Sequence, residues 1–211
     1  MAAALCCTAS AAGDDWQTVY DSEGLRILKR DYAGSALDEI KGVLRVKASL
    51  NAVMALLKDA DFNQHWVYRS GGARILKESG YAQAYVYGVV DAPPPMSDRD
   101  TVVRFDYRQH PVSREITVTI TNVPDFIAPV PGLVRVPQMG GYWHLKPDAQ
   151  GWVQVTYQVH GDPGGWIPAW LANHAALVSV KQTLLNLADV VPRYEGLRSE
   201  YVREAGQSSA R

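Results

Sequence analysis

Cysteine is nearly absent from this chain. Of 211 residues only Cys6 and Cys7 carry a thiol, and none follows Thr8. The body of the chain therefore has no disulfide framework, zinc–cysteine site or thiol chemistry available to it. Long apolar runs are missing as well. No stretch of about 18 apolar residues occurs, so no segment reads as a membrane-spanning helix. Neither sign of charge is in excess: 21 Lys and Arg stand against 22 Asp and Glu, a net of −1. A balanced chain has no global basic field, which argues against nucleic acid as a partner. The five histidines, His65, His110, His144, His160 and His174, show no His-x-x-x-His or His-Glu-x-x-His spacing, so no metal site is expected. There is no Gly-x-Gly-x-x-Gly and no Walker A loop, and no cofactor is expected. His160 and Asp162 are close in sequence, but without a Gly-x-Ser-x-Gly elbow they make no hydrolase triad with Ser179. Phenylalanine is scarce, with 3 residues against 11 Tyr and 6 Trp. Aromatics with a polar tip suit surfaces that are half apolar and half wet.

What remains is the composition of a globular protein. Hydrophobic residues make up 47% and charged residues 20%, which excludes disorder, collagen and coiled coil. The start, Met1 to Ala12, is small and apolar, and Ala9-Ser10-Ala11 fits a signal-peptidase site. A signal peptide remnant or a disordered leader is expected over 1–12, with a periplasmic or secreted location, a cytoplasmic one being the alternative. Residues 14–200 read as one domain and 201–211 as a disordered tail.

Within that domain Asp14 to Tyr20 reads as a short helix. Leu25 to Arg30 and Leu37 to Val46 read as strands joined near Gly34. Ser49 is placed to cap a helix whose Ala52, Val53, Leu56 and Leu57 share a face. A helical turn through Asp61 to His65 follows. Six alternating segments then predict antiparallel strands: 74–78, 81–90, 99–109, 115–123, 141–146 and 152–161. Val153, Val155, Tyr157 and Val159 face one way and Gln154, Thr156 and Gln158 the other, so the sheet has a single wet side. The segment 123–137 carries Pro124, Pro129, Pro131 and Pro137 and cannot be a central strand. It is nonetheless apolar, which fits a lid over a cavity, a membrane-touching tip or a loop packed on the core. After Pro168, Trp170, Asn173, Leu177, Val180, Leu184, Leu187 and Val191 fall three and four apart, one stripe of a long helix ended by Pro192. A curved sheet gripping a straight helix leaves room for a cavity between them.

Four segments carry a family resemblance. They are Asp59-Ala60-Asp61 with Trp66, Met96-Ser97-Asp98-Arg99-Asp100, Val134-Arg135 with Gly141-Tyr142-Trp143-His144-Leu145, and Gly161-Asp162-Pro163-Gly164-Gly165-Trp166-Ile167-Pro168 with Trp170-Leu171 and Asn173. Together they resemble the StAR-related lipid transfer (START) domain over about residues 14–195. The resemblance implies an α+β helix-grip fold: a curved antiparallel sheet around a long C-terminal helix, with an internal hydrophobic tunnel. It implies binding, without chemistry, of one lipid, sterol-like or other apolar molecule. It also implies gating by the terminal helix and its neighbouring loops, here 123–137, through transient contact with a membrane surface. A monomer is expected.

One departure stands out. Some sterol-binding members pair an interior acid with the arginine that corresponds to Arg99, yet the strand Ala82 to Val90 holds no Asp or Glu. Arg99 shares a strand face with Val103 and Phe105. A buried charge requires a partner, so Arg99 either anchors a ligand head group or pairs with Asp91, Asp98 or Asp100. Asn173 either bonds a ligand or satisfies local backbone. Trp66, Phe105, Trp143, Tyr157, Trp170 and Leu177 complete the expected ligand-binding set. The alternative function is a helix-grip enzyme, a cyclase or small hydrolase acting on an apolar substrate. The scarcity of ionisable residues on the inward strand faces speaks against it.

Overall fold

The computed structural model describes residues 15–205. The expected leader, with Cys6 and Cys7, and residues 206–211 lie outside them. Ten strands form one sheet: β1 (Gln17–Ser22), β2 (Leu25–Asp31), β3 (Asp38–Val46), β4 (Ser70–Glu78), β5 (Gln83–Val90), β6 (Arg99–Gln109), β7 (Ile116–Asn122), β8 (Val134–Arg135), β9 (Gln138–Pro147) and β10 (Val153–Asp162). Helix α1 spans Leu50–Lys58 and α2 spans Ala169–Val190. Strand order is β1-β2-β3-β10-β9-β7-β6-β5-β4, with the short β8 beside the start of β6. Every pairing is antiparallel except β6 with β8. With α2 laid against this sheet, the architecture is the helix-grip fold.

The register shows how alternation builds the core. Leu44, Val155, Leu145 and Ile116 lie in one row across β3, β10, β9 and β7, and all four are buried. The next row is Gly42, Tyr157, Trp143, Val118 and Tyr107. Lys41, Arg45, Gln154 and Thr117 take the opposite face, as period-two alternation requires. A gap in the first face receives the long helix. At Gly42 a Cβ would overlap Leu184 Cδ1 and lie 2.9 Å from Val180 Cγ1 and 3.1 Å from Ile27 Cδ1. Any side chain there would push α2 off the sheet.

Three expectations are corrected. Residues 17–22 are an edge strand, not a helix. Their pairing with β2 supplies backbone partners that a short, exposed helix could not. The alternating stripe of α2 is buried only from Val180 onward, at Val180, Leu184, Leu187 and Val191. A 3.6-residue period marks a face but not how far the packing partner extends beneath it. The tail is docked as far as 205. Val202 is 5% exposed, and Glu204 accepts from the backbone N–H of Leu50 at 3.1 Å and Asn51 at 2.9 Å. These are open donors of the first turn of α1, where a carboxylate also meets the positive end of the helix dipole. Ser49 caps the same turn as expected, accepting from Ala52 N at 3.1 Å.

Candidate functional site

Between the sheet, α1 and α2 lies a cavity of about 200 Å³. Its floor is the inward face of β5, β6, β7 and β9, including Val103, Phe105, Val118, Ile120 and Trp143. The space exists because several inward residues are small: Ala84 and Gly88 on β5, Ala73 on β4 and Ala60 after α1. Large side chains at those places would fill it. The roof comes from Trp66 and Val67, with Ser179 and Thr183 of α2.

Of the expected ligand-binding residues, Trp66, Phe105, Trp143 and Tyr157 are brought together on this wall. Trp143 stacks on Tyr157 with ring centroids 4.0 Å apart, and Trp66 lies 6.1 Å from Trp143. Burial pushes the Tyr157 hydroxyl up to about 12, so it stays protonated at neutral pH. The Trp66 indole N–H is buried and has no hydrogen-bond partner in the protein. A buried donor left open costs about 1–3 kcal/mol, a local cost of the packing around this ring.

The other expected site residues lie elsewhere. Trp170 is 72% exposed, so it does not wall the cavity. Asn173 ties the start of α2 to the β2–β3 connection, accepting from Asp38 N at 2.9 Å and donating to Ala36 O at 3.4 Å. Leu177 packs on the core but is not part of the wall. Arg99 is buried and also outside the lining. Its guanidinium donates to Ser97 O, and its Nε is buried without a partner. It lies beneath the 163–165 turn: a Cβ on Gly165 would be 3.7 Å from Arg99 Nη2. Two of the aspartates expected to pair with it are engaged otherwise. Asp98 accepts from Ala92 N at 2.8 Å, and Asp100 is bound by Arg135.

That last pair escaped sequence reasoning. Arg135 Nε and Nη2 each lie 2.9 Å from an oxygen of Asp100, which is fully buried. The same guanidinium donates to the carbonyls of Pro124, Ile127 and Ala128. It thus pins the proline-rich loop to the start of β6. The loop does not lie directly over the cavity, and no residue of 123–137 lines it. Phe126 instead stacks on Tyr85 at 4.4 Å, on the outward face of β5. Only the tertiary position of β8 places Arg135 against Asp100, residues 35 apart in sequence. Lys58 and Glu78, which also line the cavity, were missed too, because an isolated charge at a helix or strand end carries no sequence signal.

No protein-family model matches the chain. A solved structure of the STAR-related lipid transfer protein from Xanthomonas axonopodis is 37% identical, with a TM-score of 0.79, and the match covers 85% of this chain and 99% of that one. The chain belongs to the StAR-related lipid transfer family. An uncharacterised protein of Pseudomonas aeruginosa is 33% identical over 84% of this chain and 87% of its own length. Human phosphatidylcholine transfer protein is 28% identical over 87% of this chain and 86% of its length. The START resemblance of the four motifs is therefore matched by both sequence and fold. Within the family frame the motifs divide by role. Trp66 and Trp143 wall the cavity, whereas Asp59 is structural: it accepts from Phe62 N at 3.0 Å and from the Tyr194 hydroxyl at 2.7 Å.

Proposed function

We propose that this protein binds a single lipid or other apolar molecule in the cavity and carries it between membranes, without chemistry. The observation that supports this most directly is the cavity itself: predominantly apolar and walled by Trp66, Phe105, Trp143 and Tyr157. Burying apolar surface yields about 25 cal/mol per Å², so an extended alkyl chain needs few polar contacts to be held. Trp66, Phe105, Trp143 and Tyr157 are the proposed contact residues.

The proposed gate is the start of α2 together with the loop 123–137. Their linkage supports this reading. A Cβ on Gly164 would lie 3.0 Å from Pro137 Cδ and 3.3 Å from both Arg135 O and Val134 Cγ1, so the turn before α2 bears on the base of the loop. Arg99 beneath that turn is the proposed contact for a head group during passage. Trp166 and Trp170 project from the same region, and indole rings favour the boundary between head groups and acyl chains. They are the proposed membrane contact of a monomer acting in the periplasm or outside the cell. No described helix is long and apolar enough to cross a membrane.

Native mass spectrometry of protein purified from a lipid-rich extract tests the reading. The expected result is a mass increment of one lipid per chain. A bare mass under gentle conditions, with no uptake of added fatty acids, sterols or phospholipids, would sink it.

A further inference from the structure

Only two of the residues lining the cavity are charged, Lys58 and Glu78, and both stand at the same end. Lys58 closes α1. Its ammonium sits between two aromatic faces, 4.1 Å from the Tyr107 ring centroid and 4.3 Å from that of Tyr81. It donates to Tyr81 O at 3.3 Å. Tyr81 is in turn stacked on Tyr201 at 4.5 Å, so the cation is held by a packed frame rather than swinging in solvent. Its nearest carboxylate oxygen, Glu78 Oε1, is 3.9 Å away, too far for a hydrogen bond. The side chain of Lys58 is 19% exposed and that of Glu78 is 48% exposed. The cation is the more buried member of the pair and the anion the more exposed one.

We propose that this end of the cavity is an anion subsite, in which Lys58 takes the carboxylate or phosphate of a single-chain amphiphile. The tail runs along β6 toward Thr101. From Tyr107 to Thr101 is roughly 20 Å at about 3.3 Å per strand residue, the length of one extended long alkyl chain. The volume of about 200 Å³ is below the ~300–1,000 Å³ of pockets for drug-sized ligands, so the wall must spread to take one chain and has no space for two. Binding exchanges a loose contact with Glu78 for a direct charge-assisted hydrogen bond, the stronger kind. Burial holds the Lys58 ammonium below the usual lysine range while Glu78 opposes that shift, so a closer anion would relieve an existing cost.

The inference rests on the proposed apolar-ligand function and narrows it to ligands with an acidic end. The test is equilibrium binding of three probes with one alkyl chain to the full-length protein: hexadecanoate, hexadecyl phosphate and methyl hexadecanoate. At least one acid is expected to bind about tenfold or more tightly than the ester, the factor that 1.4 kcal/mol supplies. Which acid is preferred identifies the head-group chemistry. Lys58→Met should bring the acid-to-ester ratio close to one, Lys58→Arg should preserve it, and Glu78→Gln should raise it. Equal affinity for all three in the parent protein overturns the subsite while leaving the lipid-binding reading standing. So does a Lys58→Met ratio equal to the parent's. Binding of none of the three overturns the subsite, and the mass-spectrometric test then decides whether lipid binding falls with it. If Lys58→Met does not fold, the opposite shift expected of Glu78→Gln keeps the proposal open to refutation.

Discussion

Replacing Asp100 by asparagine preserves its shape and removes its charge. Asp100 is fully buried and Arg135 is 11% exposed at its side chain, so water cannot compensate the arginine left behind. Two hydrogen bonds of 2.9 Å lose their ionic character, and the Tyr87 hydroxyl, whose proton is held partly by the nearby Asp100 charge, loses that charge. Breaking one partner of a buried pair costs about 3–5 kcal/mol. In a chain of this size about 1 kcal/mol shifts the midpoint by 2–4 °C, so thermal unfolding should fall by roughly 6–20 °C. The loss should also be felt locally. Arg135 holds the carbonyls of Pro124, Ile127 and Ala128, so amide exchange in the loop should rise before global unfolding is reached. Urea unfolding of Asp100→Asn, Arg135→Gln and the double variant closes a mutant cycle. The double variant should lose much less than the sum of the singles. A loss below about 1 kcal/mol for Asp100→Asn, or additive singles, would refute the argument that this pair bears the loop.

Three further outcomes follow from other parts of the molecule. Gly42→Ala should destabilise by about 1–3 kcal/mol through overpacking against Leu184, Val180 and Ile27, and denaturant unfolding checks it. Unchanged stability would mean that α2 does not bear on β3 as described. Trp166→Ala with Trp170→Ala should leave stability within about 0.5 kcal/mol, since both rings are exposed, while weakening co-sedimentation with phospholipid vesicles several-fold. Unaltered co-sedimentation would remove these rings from the membrane contact. Tyr107, Tyr157 and Tyr194 are each pushed up, with burial the leading cause. In the unfolded chain they ionise near pH 10, whereas the folded Tyr157 holds its proton to about pH 12. The unfolded state then binds fewer protons in that window, so stability should fall as pH rises from about 10 toward 12. Melting curves and tyrosinate absorbance across that range test it, and a flat stability profile would contradict the burial of these hydroxyls.

Much of this architecture is readable before any coordinates. Strand alternation depends on a period of two that burial on one side imposes, so Val153 to Val159 and Ile116 to Ile120 are found where the pattern puts them. Ser49 is legible as a cap because its function is local, three residues from the N–H it accepts. The four motifs point to the family because they keep residues that turn, wall and cap this particular fold. Trp66, Phe105, Trp143 and Tyr157 could be picked out as aromatics in segments that face inward.

Other placements are decided by partners distant in sequence. Trp170 lies on the apolar stripe of α2, yet the sheet does not extend beneath it, and the ring is left in solvent. Arg99 stands among three nearby aspartates, but Asp100 is claimed by Arg135, which β8 delivers from 35 residues away. The tail reads as disordered, but Glu204 finds the open N–H groups of α1 across more than 150 residues of chain. Lys58 is one more charge at the end of an amphipathic helix until Tyr81, Tyr107 and the cavity surround it. Period, cap and turn chemistry act over a few residues and are written in order along the chain. Which buried charges meet, how far a helix is covered and where a cavity remains open depend on pairings between distant segments, and those exist only once the sheet has closed on its helix.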